Sequence, residues 1–211
     1  MQLFTLDEKG IAGAFIILVL IFLFGKSLWV LFLFPMLLFL FFSWIVTNIG
    51  KEEKKKLKIF EKKRSIENVF ANGLIPVVVL FFYFLTNNKV LILSYLGAIA
   101  AITGDKFSSE IGVLDGSPRK IFGFKKIKKG ESGGITLLGS FAGIVGSFII
   151  SLTSYLFGLE SKILLILISG VIGNIFDSVF GVLEENGFGN KHTTNIVCSF
   201  FGALIPLLFE L

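Results

Sequence analysis

The chain has 211 residues, of which 54% are hydrophobic and 17% are charged, with a net charge of +5 and a mean hydropathy of +0.86. About a quarter of the residues of a soluble globular domain are normally charged, because charged side chains cover its surface. This composition excludes a water-soluble enzyme and a disordered segment, and the single cysteine and single histidine exclude a disulfide scaffold, a cysteine-based metal cluster and a multi-histidine zinc site.

Seven apolar stretches are candidates for membrane-spanning helices, which need about 20 apolar residues to cross about 30 Å of hydrocarbon. The first and fourth are short, and only three residues separate the first two, so six spans remain an alternative to the seven that we favour. The sequence therefore predicts an all-α, polytopic transmembrane helical bundle. The stretches are residues 11–24, 28–46, 69–85, 90–103, 133–157, 163–183 and 194–209.

Lysine and arginine residues concentrate in two loops, between the second and third stretches and between the fourth and fifth. The positive-inside rule places both loops and the amino terminus in the cytoplasm, in a multi-pass protein of the cell membrane. We divide the chain into residues 1–64, two spans with a basic cytoplasmic linker, and residues 65–211, a five-span catalytic core with a cytoplasmic loop at 104–132. The basic runs suit an anionic leaflet or a polyphosphate. Nucleic acid is not expected as a partner, because no aromatic stacking surface lies outside the membrane.

A polar stripe crosses the sixth stretch. Asn174, Asp177, Ser178 and Gly181 are spaced i, i+3, i+4 and i+7, which places them on one helical face. A carboxylate inside the hydrocarbon costs about 2.5–3.5 kcal/mol on insertion, so Asp177 is a candidate functional residue. The alternative is a hydrogen-bonded clamp between helices, although a clamp needs only an amide or a hydroxyl.

Two acids and two hydroxyls, Asp105, Ser108, Ser109 and Glu110, directly follow the fourth stretch. If the helix continues, the first three share a face. Mg²⁺ commonly takes one or two carboxylates and completes its coordination with water and substrate phosphate, so this group suits Mg²⁺. A solvated helix end is the alternative interpretation.

The basic loop that follows leads into Gly133 and Gly134 at the start of the fifth stretch. Glycines before a helix let backbone N–H groups approach a phosphate, although this segment is not a Walker A sequence. A loop held on anionic lipid explains the lysines equally well. A third polar group, Arg64, Asn68 and Asn72, is spaced i, i+4 and i+8; a snorkelling arginine with a helix cap is its alternative interpretation.

Taken in order, these motifs resemble one integral-membrane family, which includes the plant phytyl-phosphate kinase and an uncharacterised human transmembrane protein. The resemblance runs from about residue 64 to the carboxyl terminus. The chain departs from the family at Lys106, where many relatives have a neutral residue, and at Glu131 and Ser132. The motifs are residues 64–73, 105–112, Pro118 with Arg119, 129–136 with Gly139, 174–178 and 195–197.

The resemblance implies a kinase that converts a prenyl monophosphate, such as phytyl or geranylgeranyl phosphate, to the diphosphate at the cytoplasmic membrane face. A nucleoside triphosphate is the implied phosphate donor, with CTP the first choice, and Mg²⁺ is the expected cofactor. The expected partners also include the lipid bilayer, and a homodimer is left open. We predict that Asp105, Glu110 and Asp177 are catalytic and bind the metal. The predicted substrate- and nucleotide-binding residues are Arg64, Asn72, Ser109, Arg119, Lys120, Lys126, Lys129, Gly133, Gly134, Asn174 and Ser178.

Two other functions fit the same residues. A CTP-dependent cytidylyltransferase that makes a CDP-lipid would use the same metal and basic loop but would release pyrophosphate. A membrane transporter would instead line an ion or substrate path with Asp177 and Asn174. Transporters often carry internal repeats and polar sites near the midplane of the membrane. The chain shows no clear repeat, and its polar residues gather at one face, so both features favour an enzyme.

Overall fold

The structure, a computed structural model, describes residues 6–60 and 63–210, most of which are helical. Short 3₁₀ turns at Lys26–Leu28, Leu152–Phe157 and Glu160–Lys162 adjoin the longer helices. The loop between the fifth and sixth helices contains a two-stranded antiparallel sheet of β1 (Arg119–Lys120) and β2 (Gly134–Ile135). The α-helices of the described chain are α1 (Glu8–Phe24), α2 (Trp29–Asn48), α3 (Lys51–Lys56), α4 (Ile66–Thr86), α5 (Val90–Gly112), α6 (Leu137–Ser151), α7 (Ile163–Glu185) and α8 (Lys191–Glu210).

Six helical segments of the described residues are long and apolar enough to cross a membrane, which confirms the polytopic helical bundle. The helix α1 is also apolar, but its 17 residues rise only about 26 Å, short of the roughly 30 Å of hydrocarbon. A complete crossing by α1 therefore stays a prediction. The six segments are Lys26–Asn48, Ile66–Thr86, Val90–Gly112, Leu137–Phe157, Glu160–Glu185 and Lys191–Glu210.

The helix α5 lies at the centre of the bundle, where α2, α4, α6, α7 and α8 all pack against it. Every residue from Ile92 to Gly104 is buried. A helix that is surrounded on all sides must lack charge on all sides, and this part of α5 contains only apolar, glycine and hydroxyl-bearing residues. The Tyr95 hydroxyl donates a hydrogen bond to the carbonyl of Phe32, which satisfies the phenol inside the core and ties α5 to α2.

Glycines allow the neighbouring helices to approach α5 closely. A β-carbon on Gly97 would lie against the carbonyl oxygen of Gly202 in α8, and one on Gly202 would lie 2.6 Å from the β-carbon of Ala101. A β-carbon on Gly104 would lie 3.0 Å from the carbonyl oxygen of Gly143 in α6. Small residues at such crossings drive helix association in membranes through close packing. This packing brings the polar ends of α5, α7 and α8 together.

The loops divide between the two ends of the bundle. Residues 49–60 and 63–65 and loops 113–136 and 186–190 lie at one end with the beginning of α1, and we call this the site end. Connections 25–28, 87–89 and 158–162 lie at the opposite end with the end of α8. The placement of the site end in the cytoplasm stays a prediction. The contacts that fix this division are Asp7 N with Arg64 O, Lys129 with Glu53, Ser132 N with Glu185, Lys26 with Asn87, and Lys162 with Glu210.

Candidate functional site

A polar cavity of about 230 Å³ lies at the site end, between α5, α7, α8 and the loop that precedes α6. Nine of the fourteen predicted site residues line it, although they come from three separate parts of the sequence. The folded chain therefore brings together most of the side chains that sequence motifs selected. The nine are Asp105, Ser109, Glu110, Lys129, Gly133, Gly134, Asn174, Asp177 and Ser178.

Two carboxylates form the centre of the polar cavity. The side chains of Asp105 on α5 and Asp177 on α7 lie within hydrogen-bonding reach of each other, and the Thr194 side chain on α8 is next to Asp177. The Oδ1 atom of Asp177 is buried and has no hydrogen-bond partner among the described residues. Two carboxylates this close repel each other unless a proton or a cation lies between them. The pair is therefore arranged to hold a positive species.

Lysines border the acidic pair on two sides. Lys106 follows Asp105 on α5, and Lys191 stands at the first turn of α8; both line the polar cavity, and both act electrostatically on Asp105. Lys129 reaches the rim from the loop and contacts Glu53 at 3.0 Å. Cations arranged around two carboxylates favour a polyphosphate with its divalent cation, since phosphate oxygens can bind both a lysine and a metal ion.

Glu110 lines the same cavity but does not join the other two acids. Its Oε2 atom accepts a hydrogen bond from Lys54 at 2.7 Å, and its Oε1 atom accepts from Lys106 at 2.6 Å and from the Thr47 hydroxyl at 2.9 Å. Both carboxylate oxygens are thus occupied by protein donors. Within residues 6–60 and 63–210, no three or more His, Cys, Asp or Glu residues are grouped so that they could hold a metal ion. The three predicted metal ligands do not converge, whereas Asp105 and Asp177 do.

The remaining pair still fits Mg²⁺ by its chemistry. Mg²⁺ usually binds one or two carboxylates and takes its other ligands from water and from the phosphates of the substrate, so a third acid is not required. The buried and unpartnered Oδ1 atom of Asp177 is an available ligand. The side chains of Asn174, one turn before Asp177 on α7, and of Ser178, the next residue along, line the same cavity and supply further oxygens. Mg²⁺ itself stays a prediction.

A glycine loop forms one wall of the polar cavity. Gly133 has a φ of +73°, and a β-carbon there would lie 2.6 Å from Val182 Cγ2 and 2.8 Å from the Val182 backbone nitrogen. Only glycine combines this left-handed conformation with such a close approach to α7. The Ser132 N–H donates to Glu185 Oε1 at 2.9 Å, which fastens the loop to the end of the same helix. The loop is thereby held beside the face of α7 that carries Asp177.

Five predicted binding residues lie outside the polar cavity. Arg119 and Lys120 form β1, and Arg119 also pairs with Lys126, so a small hairpin holds all three next to the polar cavity but outside its lining. Arg64 and Asn72 instead line a second cavity, between α1, α2 and α4.

The predicted site residues did not include Lys54, Lys191, Thr194 or Asn195, which also line the polar cavity, although Asn195 belongs to the 195–197 motif. A signal was present for the last three, because their i, i+3, i+4 spacing places them on one face at the start of α8. Lys54 gives no such signal, since it lies within a run of lysines.

Comparison with known proteins identifies relatives along nearly the whole chain. The sequence profile of the family described as integral membrane protein DUF92 matches residues 1–203. An uncharacterized membrane protein of Methanocaldococcus jannaschii is 37% identical over 207 residues, covering 96% of this chain and 85% of that protein. Protein PGR of Arabidopsis thaliana is 30% identical over 218 residues, covering 87% of this chain and 74% of that protein. No solved structure shows a significant match to the chain.

Proposed function

Since the chain belongs to the DUF92 family of integral membrane proteins, we propose that it is a lipid-phosphate kinase that works at the membrane surface. The observation that carries this proposal is the Asp105–Asp177 pair, which two separate membrane helices contribute to one cavity bordered by lysines. A carboxylate pair for a divalent cation and lysines for phosphate oxygens are the groups that phosphoryl transfer requires.

The substrates follow from the motif resemblance and from the position of the cavity. Similarity of residues 105–112, 129–136 and 174–178 to the family of the phytyl-phosphate kinase supports a prenyl monophosphate, such as phytyl or geranylgeranyl phosphate, as the acceptor. The same similarity makes CTP the first donor to test. A cavity at the ends of membrane helices suits an acceptor whose phosphate lies at the surface while its chain stays in the bilayer.

In the proposed reaction, a phosphate oxygen of the prenyl monophosphate attacks the γ-phosphorus of the nucleotide. The bond from that phosphorus to the β,γ-bridging oxygen breaks, and the products are a prenyl diphosphate and a nucleoside diphosphate. Mg²⁺ held by Asp105 and Asp177 would offset the negative charge of both reactants. Lys106, Lys129 and Lys191 would bind phosphate oxygens. The nucleophile is already an anion, so the reaction needs no histidine as a general base.

The direct test is the Asp177→Asn variant, which keeps the size of the side chain but removes its charge. We expect turnover to fall by about 100-fold or more, the usual effect of losing one group that stabilises developing charge. The assay uses purified protein with Mg²⁺, geranylgeranyl phosphate and a panel of triphosphates, and chromatography separates the diphosphate product. Asp115→Asn is the control, because Asp115 is an acid at the site end that does not line the polar cavity. Near-normal turnover of Asp177→Asn would contradict the mechanism.

The same assay separates the two other functions. With CTP labelled at the α-phosphate, a cytidylyltransferase transfers the label to lipid and releases pyrophosphate, whereas a kinase transfers only the γ-phosphate. A transporter would move substrate into proteoliposomes without nucleotide, and such movement would contradict the kinase proposal.

A further inference from the structure

An apolar groove of about 290 Å³ lies between α1, α2 and α4, apart from the polar cavity. Its volume is close to the lower limit of ligand pockets, about 300–1,000 Å³. Apolar side chains form nearly all of its lining, and the polar exceptions are Arg64, just before α4, and Asn68 and Asn72, one turn apart on α4. The groove is thus apolar along its length and polar at one end, so its lining complements an amphiphilic molecule.

The groove opens sideways toward the hydrocarbon of the bilayer. Its floor includes Ile21 and Met36, which are 1% and 6% exposed, whereas its rim includes Phe15 at 65% and Leu37 at 48%. The rim residues belong to α1 and α2, so the opening lies between these two helices. On the other side α1 is packed against α4, since a β-carbon on Gly73 would lie 2.9 Å from Ile17 Cδ1.

The polar end of the groove adjoins the polar cavity. The buried Arg64 guanidinium donates to the hydroxyls of Ser43 and Thr47, both at 2.6 Å. The Thr47 hydroxyl in turn donates to Glu110 Oε1 at 2.9 Å, and Glu110 lines the polar cavity. One hydrogen-bonded chain therefore forms a wall shared by the two cavities. An anionic head group at this end of the groove would meet the charge of Arg64 and lie beside the cavity that holds the carboxylate pair.

We propose that the apolar groove binds the hydrocarbon chain of the lipid monophosphate substrate, which enters from the bilayer between α1 and α2 with its phosphate toward Arg64. The occupant is a lipid with one long chain and an anionic head, because the groove has a single cationic end and its mouth faces the membrane interior. This inference rests on the proposed function, which identifies the lipid as the molecule that is phosphorylated.

Photo-crosslinking tests the groove without relying on turnover. The probe is geranylgeranyl phosphate with a diazirine on the end of its chain, and mass spectrometry locates the labelled residues in protein held in nanodiscs. We expect the label on α1, α2 and α4 and expect Ala14→Trp, which fills the groove, to reduce it about tenfold, the effect of displacing about two buried methylenes. Ala12→Trp is the matched control, because Ala12 lies on the exposed side of the same helix, outside the groove.

Competition identifies the occupant. Unlabelled geranylgeranyl phosphate should abolish labelling, while the corresponding alcohol and bulk phospholipid should not. Labelling that phospholipid displaces equally well would show that an ordinary bilayer lipid fills the groove, and labelling unchanged by Ala14→Trp would place the chain elsewhere; either result overturns the inference.

Kinetics separate the groove from the proposed function. We expect Ala14→Trp to raise KM about tenfold for geranylgeranyl phosphate and to leave KM unchanged for isopentenyl phosphate, whose chain is too short to occupy the groove. Groove labelling in a protein that transfers no phosphate would contradict the kinase proposal but support a lipid-phosphate site. Kinase activity with labelling outside the groove would overturn the groove and leave the kinase proposal intact.

Discussion

Lys54 is a buried lysine whose ammonium group has three hydrogen-bond acceptors. It is 1% exposed and donates to the carbonyls of Val46 and Thr47, at the end of α2, and to Glu110 Oε2. The carbonyls of a last helical turn have no partner within the helix, so Lys54 satisfies two of them while it neutralises Glu110. Lys54→Met should lower the free energy of unfolding by about 3 kcal/mol, because it leaves a carboxylate and two carbonyls with fewer donors. Thermal unfolding in detergent measures the change.

The neighbouring lysine provides the control for this prediction. Lys55 also forms an ion pair, with Glu52 at 2.8 Å, but both side chains are largely exposed. Exposed pairs contribute little to stability because water and salt screen them. Lys55→Met should therefore unfold at the temperature of the unsubstituted protein. Equal destabilisation by the two substitutions would show that general loss of basic charge, rather than the buried contacts of Lys54, causes the effect.

The contrast between Asp177 and Lys54 shows which site residues sequence can reveal. An acid inside an apolar helix stands out, because the hydrocarbon penalises it and nothing nearby resembles it. Lys54 is one of four lysines in the six residues of α3, and the sequence does not distinguish the buried one from the exposed ones. The sequence also does not show that protein donors occupy the carboxylate oxygens of Glu110, because one of those donors, Lys54, lies 56 residues away along the chain.

At the scale of helices, apolar stretches located the elements but not all of their ends. The prediction for the fourth span stops at residue 103, where polar residues begin, yet α5 continues to Gly112. The i, i+4 pair of Lys106 and Glu110 stabilises this extension, and packing against α6 and α8 makes a polar helical end favourable. Conversely, α6 begins at Leu137 rather than 133, because Gly133 and Gly134 belong to the loop and to β2. Tertiary contacts, which the sequence does not display, decide these boundaries.

The crossing of α5 and α8 depends on the absence of side chains at Gly97 and Gly202. A β-carbon on Gly97 would lie against the Gly202 carbonyl oxygen and 3.2 Å from Ser169 Cβ of α7. Gly97→Leu should force the helices apart and lower stability by about 1–3 kcal/mol, the usual cost of overpacking a core. Chemical or thermal unfolding of the purified variant gives the value.

Gly116→Leu is the matched control, because Gly116 is exposed and a β-carbon there would have no atom within 4 Å. This variant should have the same unfolding stability as the unsubstituted protein. A Gly97→Leu protein of normal stability would mean that α5 and α8 can separate without cost, and that glycine packing does not hold this crossing.

The molecule as a whole separates its charge between two ends. Loops 49–65 and 113–136 contain fourteen Lys and Arg residues, whereas the connections at the opposite end contain only Lys26, Lys89 and Lys162. The polar cavity and the polar end of the apolar groove both lie at the basic end. Nucleotides are cytoplasmic and anionic, so the proposed kinase activity would require the basic end to face the cytoplasm. The positive-inside rule independently predicts the same orientation.

Cysteine labelling tests this orientation, and two isosteric substitutions suffice. Ser117 is exposed at the site end, Ser161 is exposed at the opposite end, and the native Cys198 is fully buried and should not react. We expect a membrane-impermeant maleimide to label Ser161→Cys in intact cells and to label Ser117→Cys only after the membrane is permeabilised, because positively charged loops are retained inside. The reverse pattern would place the carboxylate pair outside, where cytoplasmic CTP cannot reach it, and would contradict the kinase proposal. Labelling of both cysteines in intact cells would instead require a mixed orientation, which a difference of fourteen to three in basic residues should prevent.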